Sequence, residues 1–201
     1  LALEAALEEC VFHSQVHGAT MDTLRRHGLA TGHLARALAE STTVPGESAY
    51  VAGLLHDVGI AGALRVLSER ENDFGPMPAW SIVWPAVERV HGRIGGVMAR
   101  HWGFPEDICR AVESHHAVAI GEEASPLAAV LAVASDLAHQ EGFGLDEVAA
   151  SDSRAEEEKP DGEAADRRPA HVLDRQLALL GLDRSQLHLI AHRARGALRD
   201  Q

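Results

Sequence analysis

Apolar side chains recur along this chain at helical spacing, and polar breaks divide them into short segments. Leu1 to about His17 predicts an amphipathic helix, and Met21 to Glu40 predicts a second one with Leu24, Leu29, Leu34 and Leu38 on its apolar positions. A loop follows over Ser41 to Glu47, with Pro45 and Gly46. Ser48 to Asp57 is a short, strongly apolar helix stopped by Gly59, and Ala61 to Ser68 turns helical again. Glu71 to Pro85, rich in Pro and Trp, is expected to be a loop or broken helix. Helix Ala86 to Trp102 ends at Gly103, and Pro105 opens another, Glu106 to about His116. Pro126 to His139 is nearly all Ala, Val and Leu. After it, Val172 to Leu180 with a Gly181 stop and Ser185 to Leu198, capped by Asp183 or Ser185, close the chain.

The pattern therefore predicts an all-α fold, a compact multi-helix bundle without significant sheet, and 4% aromatic content agrees. A length of 201 residues suits a single domain. Within it, residues 151 to 169 carry many charges and almost no large apolar side chain, so they are expected to be a disordered insertion before the C-terminal helix pair. No uninterrupted apolar stretch approaches the roughly 18 to 20 residues of a membrane span, and the N-terminus does not read as a signal, so a cytoplasmic location without membrane contact is expected. The net charge of -12 argues against broad contact with a nucleic-acid backbone. Cys10 and Cys109 read as buried, reduced thiols.

The chemistry sits in the histidines, of which there are 13. Asp136 lies within LAAVLAVASDLAH, the most apolar helix, where a carboxylate is costly unless a cation or donors meet it. His56 and Asp57 end the apolar helix VAGLLHD. Adjacent helical residues point about 100° apart, so both meet one ion only where the backbone turns, and Gly59 is read as supplying that turn. A buried hydrogen-bonded pair is the other reading of these two residues. His115 and His116 end the helix EDICRAVESHH in the same way, where they could equally stabilise the helix macrodipole. The ordered series His27, His56-Asp57, His91, His115-His116, Asp136, each in or ending its own helix, favours metal ligation. Imidazoles and carboxylates without thiolates suit Fe, Mn or Zn.

That series resembles the HD superfamily of metal-dependent phosphohydrolases, whose motif is H…HD…D with further histidines in members that bind two metals. More closely, GLLHDVG, VHGRIGGVMARHWGFPEDICRAVESHH and AVLAVASDLA are similar to the HD-related output domain, HDOD, of bacterial signalling proteins. The resemblance covers about residues 20 to 140, and the final LGLDRSQL pair also fits. HDOD proteins usually carry further helices before this region, so a fragment or shortened version is expected. The resemblance implies one or two ions: His27, His56, Asp57 and Asp136 hold one, and Asp57 bridges to a second on His91, His115 and His116. Asp57 and His56 are then the residues on which catalysis would turn, with a phosphate ester or nucleotide as ligand. The other implied role is a catalytically silent module that works by binding a signalling protein or ligand. Relatives that hydrolyse cyclic-di-GMP carry a GYP motif and a lysine where this chain has Ile60, and Ala117 to Pro126 offers Glu122 and Glu123 instead of a phosphate grip, which argues against that substrate.

Other residues draw plainer readings. Arg93 and Arg100 could reach a phosphate but suit a solvated surface better. The spaced pairs His13/His17 and His188/His192 are assigned to surface or packing. His33 and His101 are placed in packing or behind the ligands, and Trp80, Trp84 and Trp102 in the core or at its edge. Deleting residues 151 to 169 is expected to leave the melting temperature nearly unchanged; a fall of more than about 4 °C in thermal unfolding would show that the segment docks on the domain.

Overall fold

The computed structural model describes residues 2–7, 11, 18–70, 75, 80–116, 125–145 and 170–199. Among them every regular element longer than one residue is an α-helix, and no strand occurs. In chain order these are α1 (Ala2–Leu7), α2 (Gly18–Ala39), α3 (Gly46–Leu55), α4 (Val58–Glu69), α5 (Trp80–His101), α6 (Glu106–Ser114), α7 (Pro126–Gln140), α8 (Ala170–Leu180) and α9 (Arg184–Arg199). The all-α expectation holds. Residues 151–169, Cys10, His13 and His17 lie outside the described residues.

The helix ends follow the local chemistry. Asp183 caps α9 by accepting from the Gln186 backbone N–H at 2.8 Å, and the Gln186 side chain returns to the Asp183 N–H at 2.8 Å. Ser125 caps α7 ahead of Pro126. Gly103 and Gly181 stop α5 and α8 at φ values of 78° and 68°, where an L side chain is strained.

Helix α7 is apolar on nearly every side, and the fold puts it in the middle. It touches α2, α3, α6 and α8, with Val130, Leu131, Val133, Ala134 and Ala138 fully enclosed. A second, smaller apolar cluster joins Met21 and Leu24 of α2 to Ile60, Ala61 and Leu64 of α4 and to Val83 and Val87 of α5. That cluster explains where the sequence reading of Glu71 to Pro85 falls short. The helix begins at Trp80 and carries Pro85 inside it, six residues earlier than the apolar spacing suggested. Burying Val83 against α4 outweighs one lost backbone hydrogen bond so close to the helix start. Gly46–Glu69 is long and apolar enough to cross a membrane by composition. Yet it is bent at His56-Asp57 into α3 and α4, and 67% of its most apolar window is buried within the fold, so it reads as core.

Gly59 does not act as expected. It is a helical residue of α4 without positive φ, and the turn is made by His56 and Asp57 themselves, the latter at φ -103°, ψ 7°. What Gly59 provides is room: a Cβ there would lie 1.9 Å from the His91 carbonyl oxygen and 2.6 Å from the Gly95 nitrogen of α5. Gly53 does the same between α3 and α2, where a Cβ would fall 2.5 Å from Gly32 Cα. Since backbone atoms cannot give way as a side-chain end can, Gly59→Ala is expected to cost about 3 kcal/mol, the top of the usual overpacking range, as measured by urea unfolding.

Candidate metal centre

The close helix crossings decide which side chains meet. α2 brings His27 beside His56 at the end of α3, with the two Nε2 atoms 3.1 Å apart. α5 and α6 cross where a Cβ on Gly92 would lie 2.9 Å from the Glu113 carbonyl, and there His91 Nε2 stands 3.2 Å from His115 Nε2 and 3.0 Å from His116 Nε2. Asp57, in the bend between α3 and α4, reaches both groups. Its Oδ2 is 3.5 Å from His27 Nε2 and 3.1 Å from His56 Nε2, while Oδ1 is 3.3 Å from His91 Nε2 and 3.4 Å from His115 Nε2. His27, His56 and Asp57 thus form one set of mutually close ligand atoms, and Asp57, His91, His115 and His116 another.

The rings are held from behind. His27 Nδ1 donates to the Phe143 carbonyl at 2.6 Å, His56 Nδ1 to the Gly53 carbonyl at 2.8 Å, and His115 Nδ1 to the Val112 carbonyl at 2.7 Å. A carbonyl only accepts, so each Nδ1 carries the hydrogen and each neutral ring turns a bare Nε2 lone pair inward. Lone pairs 3.1 Å apart, facing a carboxylate, repel one another unless a cation lies among them. A donor set of imidazoles and one carboxylate with no thiolate fits a divalent transition ion. His91 is different: its Nδ1 is buried without a well-formed hydrogen bond, although the backbone carbonyls of Glu88 and Val87 act on the ring.

Electrostatics repeat the geometry. Burial, helped by the neighbouring His56, pushes His27 down to about 3, and burial also lowers His115. Burial alone would raise the Asp57 carboxyl, but the histidines facing it, His56 first, hold it well below the usual range. Burial opposes the charged form of His91, yet its hydrogen bond to Asp57 prevails and its pKa is raised.

The other sequence candidates fall as follows. Asp136 is half-buried on α7, next to Ser135, and belongs to neither of the two sets. Arg100 is tied to Glu106 at 3.0 Å and Glu113 at 2.8 Å on the surface, and Arg93 is exposed. His33 packs edge-on against Tyr50, 5.1 Å between ring centroids, away from the cluster. His101, His188 and His192 are exposed. Trp84 packs against the smaller core, Trp102 is exposed, and Cys109 is a buried free thiol. Ile60, at the position where the GYP enzymes carry lysine, is 1% exposed within the core.

Three groups around His27 were not anticipated. Ser135 Oγ is 3.4 Å from His27 Nε2, the His139 ring lies edge-on at 4.7 Å, and Phe143 supplies its backbone carbonyl. The first two could have been found from the spacing S-x-x-x-H around Asp136 in the same apolar helix. A backbone carbonyl leaves no such mark.

Fold and site together define a helical domain of the HD type. A family model described as the HDOD domain matches residues 1–118, and the chain belongs to the HDOD family. The chain is also similar to a crystal structure of an HDOD domain protein of unknown function from Geobacter sulfurreducens, with 22% sequence identity and a TM-score of 0.53 over 90% of this chain and 61% of that one. It spans less than two thirds of that protein, and at this identity the likeness shows the fold alone. No curated protein matches.

The buried rings predict an acid-sensitive metal-free protein. Between the ordinary histidine pKa of 6.5 and about 3, the unfolded chain binds a proton that folded His27 refuses, so this residue's share of stability is full above 6.5 and falls toward 3. His115 adds the same sign and His91 the opposite. Melting temperatures of metal-free protein measured across that range should slope less steeply with pH in His27→Gln than in the parent.

Proposed function

We propose that this HDOD domain binds one or two divalent transition ions, Fe, Mn or Zn, and uses them to hydrolyse a phosphate ester or nucleotide. The single observation that supports the reading best is the division of Asp57, whose Oδ2 faces His27 and His56 while Oδ1 faces His91 and His115. One carboxylate serving two histidine groups suits a bridging role between two ions. His27 and His56 would hold one of them, with Asp136 on the adjoining face of α7 as its further carboxylate. His91, His115 and His116 would hold the other. Such ions supply Lewis acidity toward a phosphoryl group and a nucleophilic water at neutral pH. The chain's own part is positional: the carbonyls of Phe143, Gly53 and Val112 fix three rings so that their Nε2 atoms need no reorganisation. His116 is exposed, whereas His27, His56, Asp57, His91 and His115 are buried, so a substrate would enter on its side.

A second reading is favoured by the surroundings rather than the ligands. Ile60 is buried, and Arg100 is engaged by two glutamates, so neither presents a positive charge to a substrate. A domain that holds metal but signals through a bound protein or small ligand suits those features. The two readings part in one experiment. Protein loaded with manganese is expected to cleave a generic p-nitrophenyl phosphodiester, and Asp57→Ala to lose both the cleavage and most of its metal, while exposed His101→Ala keeps both. Full metal content without cleavage favours the signalling module. Equal metal content in all three proteins defeats both readings. Cyclic-di-GMP is expected to be cleaved far more slowly than the roughly 1 per second of a dedicated enzyme.

A further inference from the structure

His56 and His115 are oriented by carbonyls three residues back in their own helices, but His27 depends on a carbonyl 116 residues away. We infer that the turn closing α7, Glu141 to Phe143, is the positioning device of the His27 half of the site, with Gly142 as the residue that makes it work.

The turn is well defined. Phe143 N–H donates to the Ala138 carbonyl at 2.9 Å and Gly142 N–H to the His139 carbonyl at 3.1 Å, closing the helix with Gly142 at φ +88°. That closure aims the Phe143 carbonyl at His27 Nδ1, 2.6 Å away. The same last turns of α7 set the His139 ring edge-on to His27 at 4.7 Å and Ser135 Oγ at 3.4 Å from its Nε2. His27 itself is wholly buried, so its tautomer is set by these neighbours and not by water. With Phe143 as acceptor, the hydrogen sits on Nδ1 and the lone pair on Nε2 faces His56 and Asp57. Without that acceptor the hydrogen is free to move to Nε2, where it points into the cluster and blocks ligation.

Gly142 offers a clean test, because a Cβ there would meet nothing within 4 Å. A substitution therefore acts through backbone conformation and not through packing. At positive φ a β-branched residue is strained, whereas Asn is tolerated. Gly181, at φ +68° with equally open space, lies between α8 and α9 and serves as control.

The consequence for metal rests on the reading of the site given above; the orientation of His27 does not. Imidazole nitrogen shifts of His27 in metal-free protein, read by NMR, should report Nδ1–H in the parent, lose that signature in Gly142→Val, and recover it in Gly142→Asn. Gly181→Val should leave it unchanged. Titrated with manganese or zinc, Gly142→Val should bind the ion of the His27 pair about ten- to a hundredfold more weakly, the usual effect of removing an outer partner of a ligand, with the His91 group unaffected. If the parent takes up no metal but the nitrogen shifts behave as stated, the positioning role stands and the metal reading falls. If Gly142→Val keeps the Nδ1–H signature, or loses it while binding metal like the parent, the inference is overturned.

Discussion

One carboxylate shared among four imidazoles is the constraint on which this structure depends. Asp57 is 7% exposed and meets His27, His56, His91 and His115, which come from α2, the end of α3, α5 and the end of α6. A buried anion of this kind is tolerable only with compensation, and here the compensation must be delivered by four separate helices at once. The backbone is shaped to allow it. Gly59 lets α4 rest on the His91 carbonyl, Gly53 lets α3 touch α2 at Gly32, and Gly92 and Gly96 admit α6 at Glu113. A side chain at any of these crossings would push a ligand helix outward, so the glycines flanking the ligands are part of the site's geometry although none can bind anything.

This division of labour explains what the sequence disclosed. The residues that cluster around Asp57 were legible because they are unusual residues in ordinary places: His-Asp at the end of an apolar helix, two histidines at the end of another. Helix ends were legible wherever a single residue decides them, as at Gly103, Gly181 and the Asp183 cap. The start of α5 was not, since Trp80 to Pro85 looks like a loop until Val83 is seen packed between α4 and α2. Local punctuation lost there to tertiary burial. The role of Gly59 was misread for a related reason: a glycine after a helix looks like a turn, and only the position of His91 in space shows that it is a clearance. Asp136 is the instructive intermediate. Its apolar setting marked α7 as chemically important, and α7 does reach the site, with Ser135, His139 and the turn at Phe143 beside His27.

The two histidine groups are built to different standards. His27 and His56 are each fixed at Nδ1 by a carbonyl and are enclosed, whereas the other group contains His91, whose Nδ1 makes no well-formed hydrogen bond, and His116, open to solvent. A ring with a fixed tautomer presents its lone pair at no further cost, and a ring without one must choose it on binding. His91 faces Asp57, and the hydrogen bond between them raises its pKa although burial opposes the charged form. The two sides thus differ in direction: the hydrogen bond to Asp57 raises the pKa of His91, whereas burial lowers that of His27.

That imbalance bears on how the fold survives without metal. If all four rings stayed neutral with lone pairs inward, the cluster would hold an uncompensated anion among acceptors, and helices α2 to α6 would be pressed apart at their closest crossings. A single proton on His91 relieves this, because Nε2–H then donates to Asp57 Oδ1, 3.3 Å away. The backbone carbonyls of Glu88 and Val87 behind the ring favour the same charged form. A hydrogen-bond donor on the His91 side is thus what lets the buried carboxylate sit among the other imidazoles without a cation.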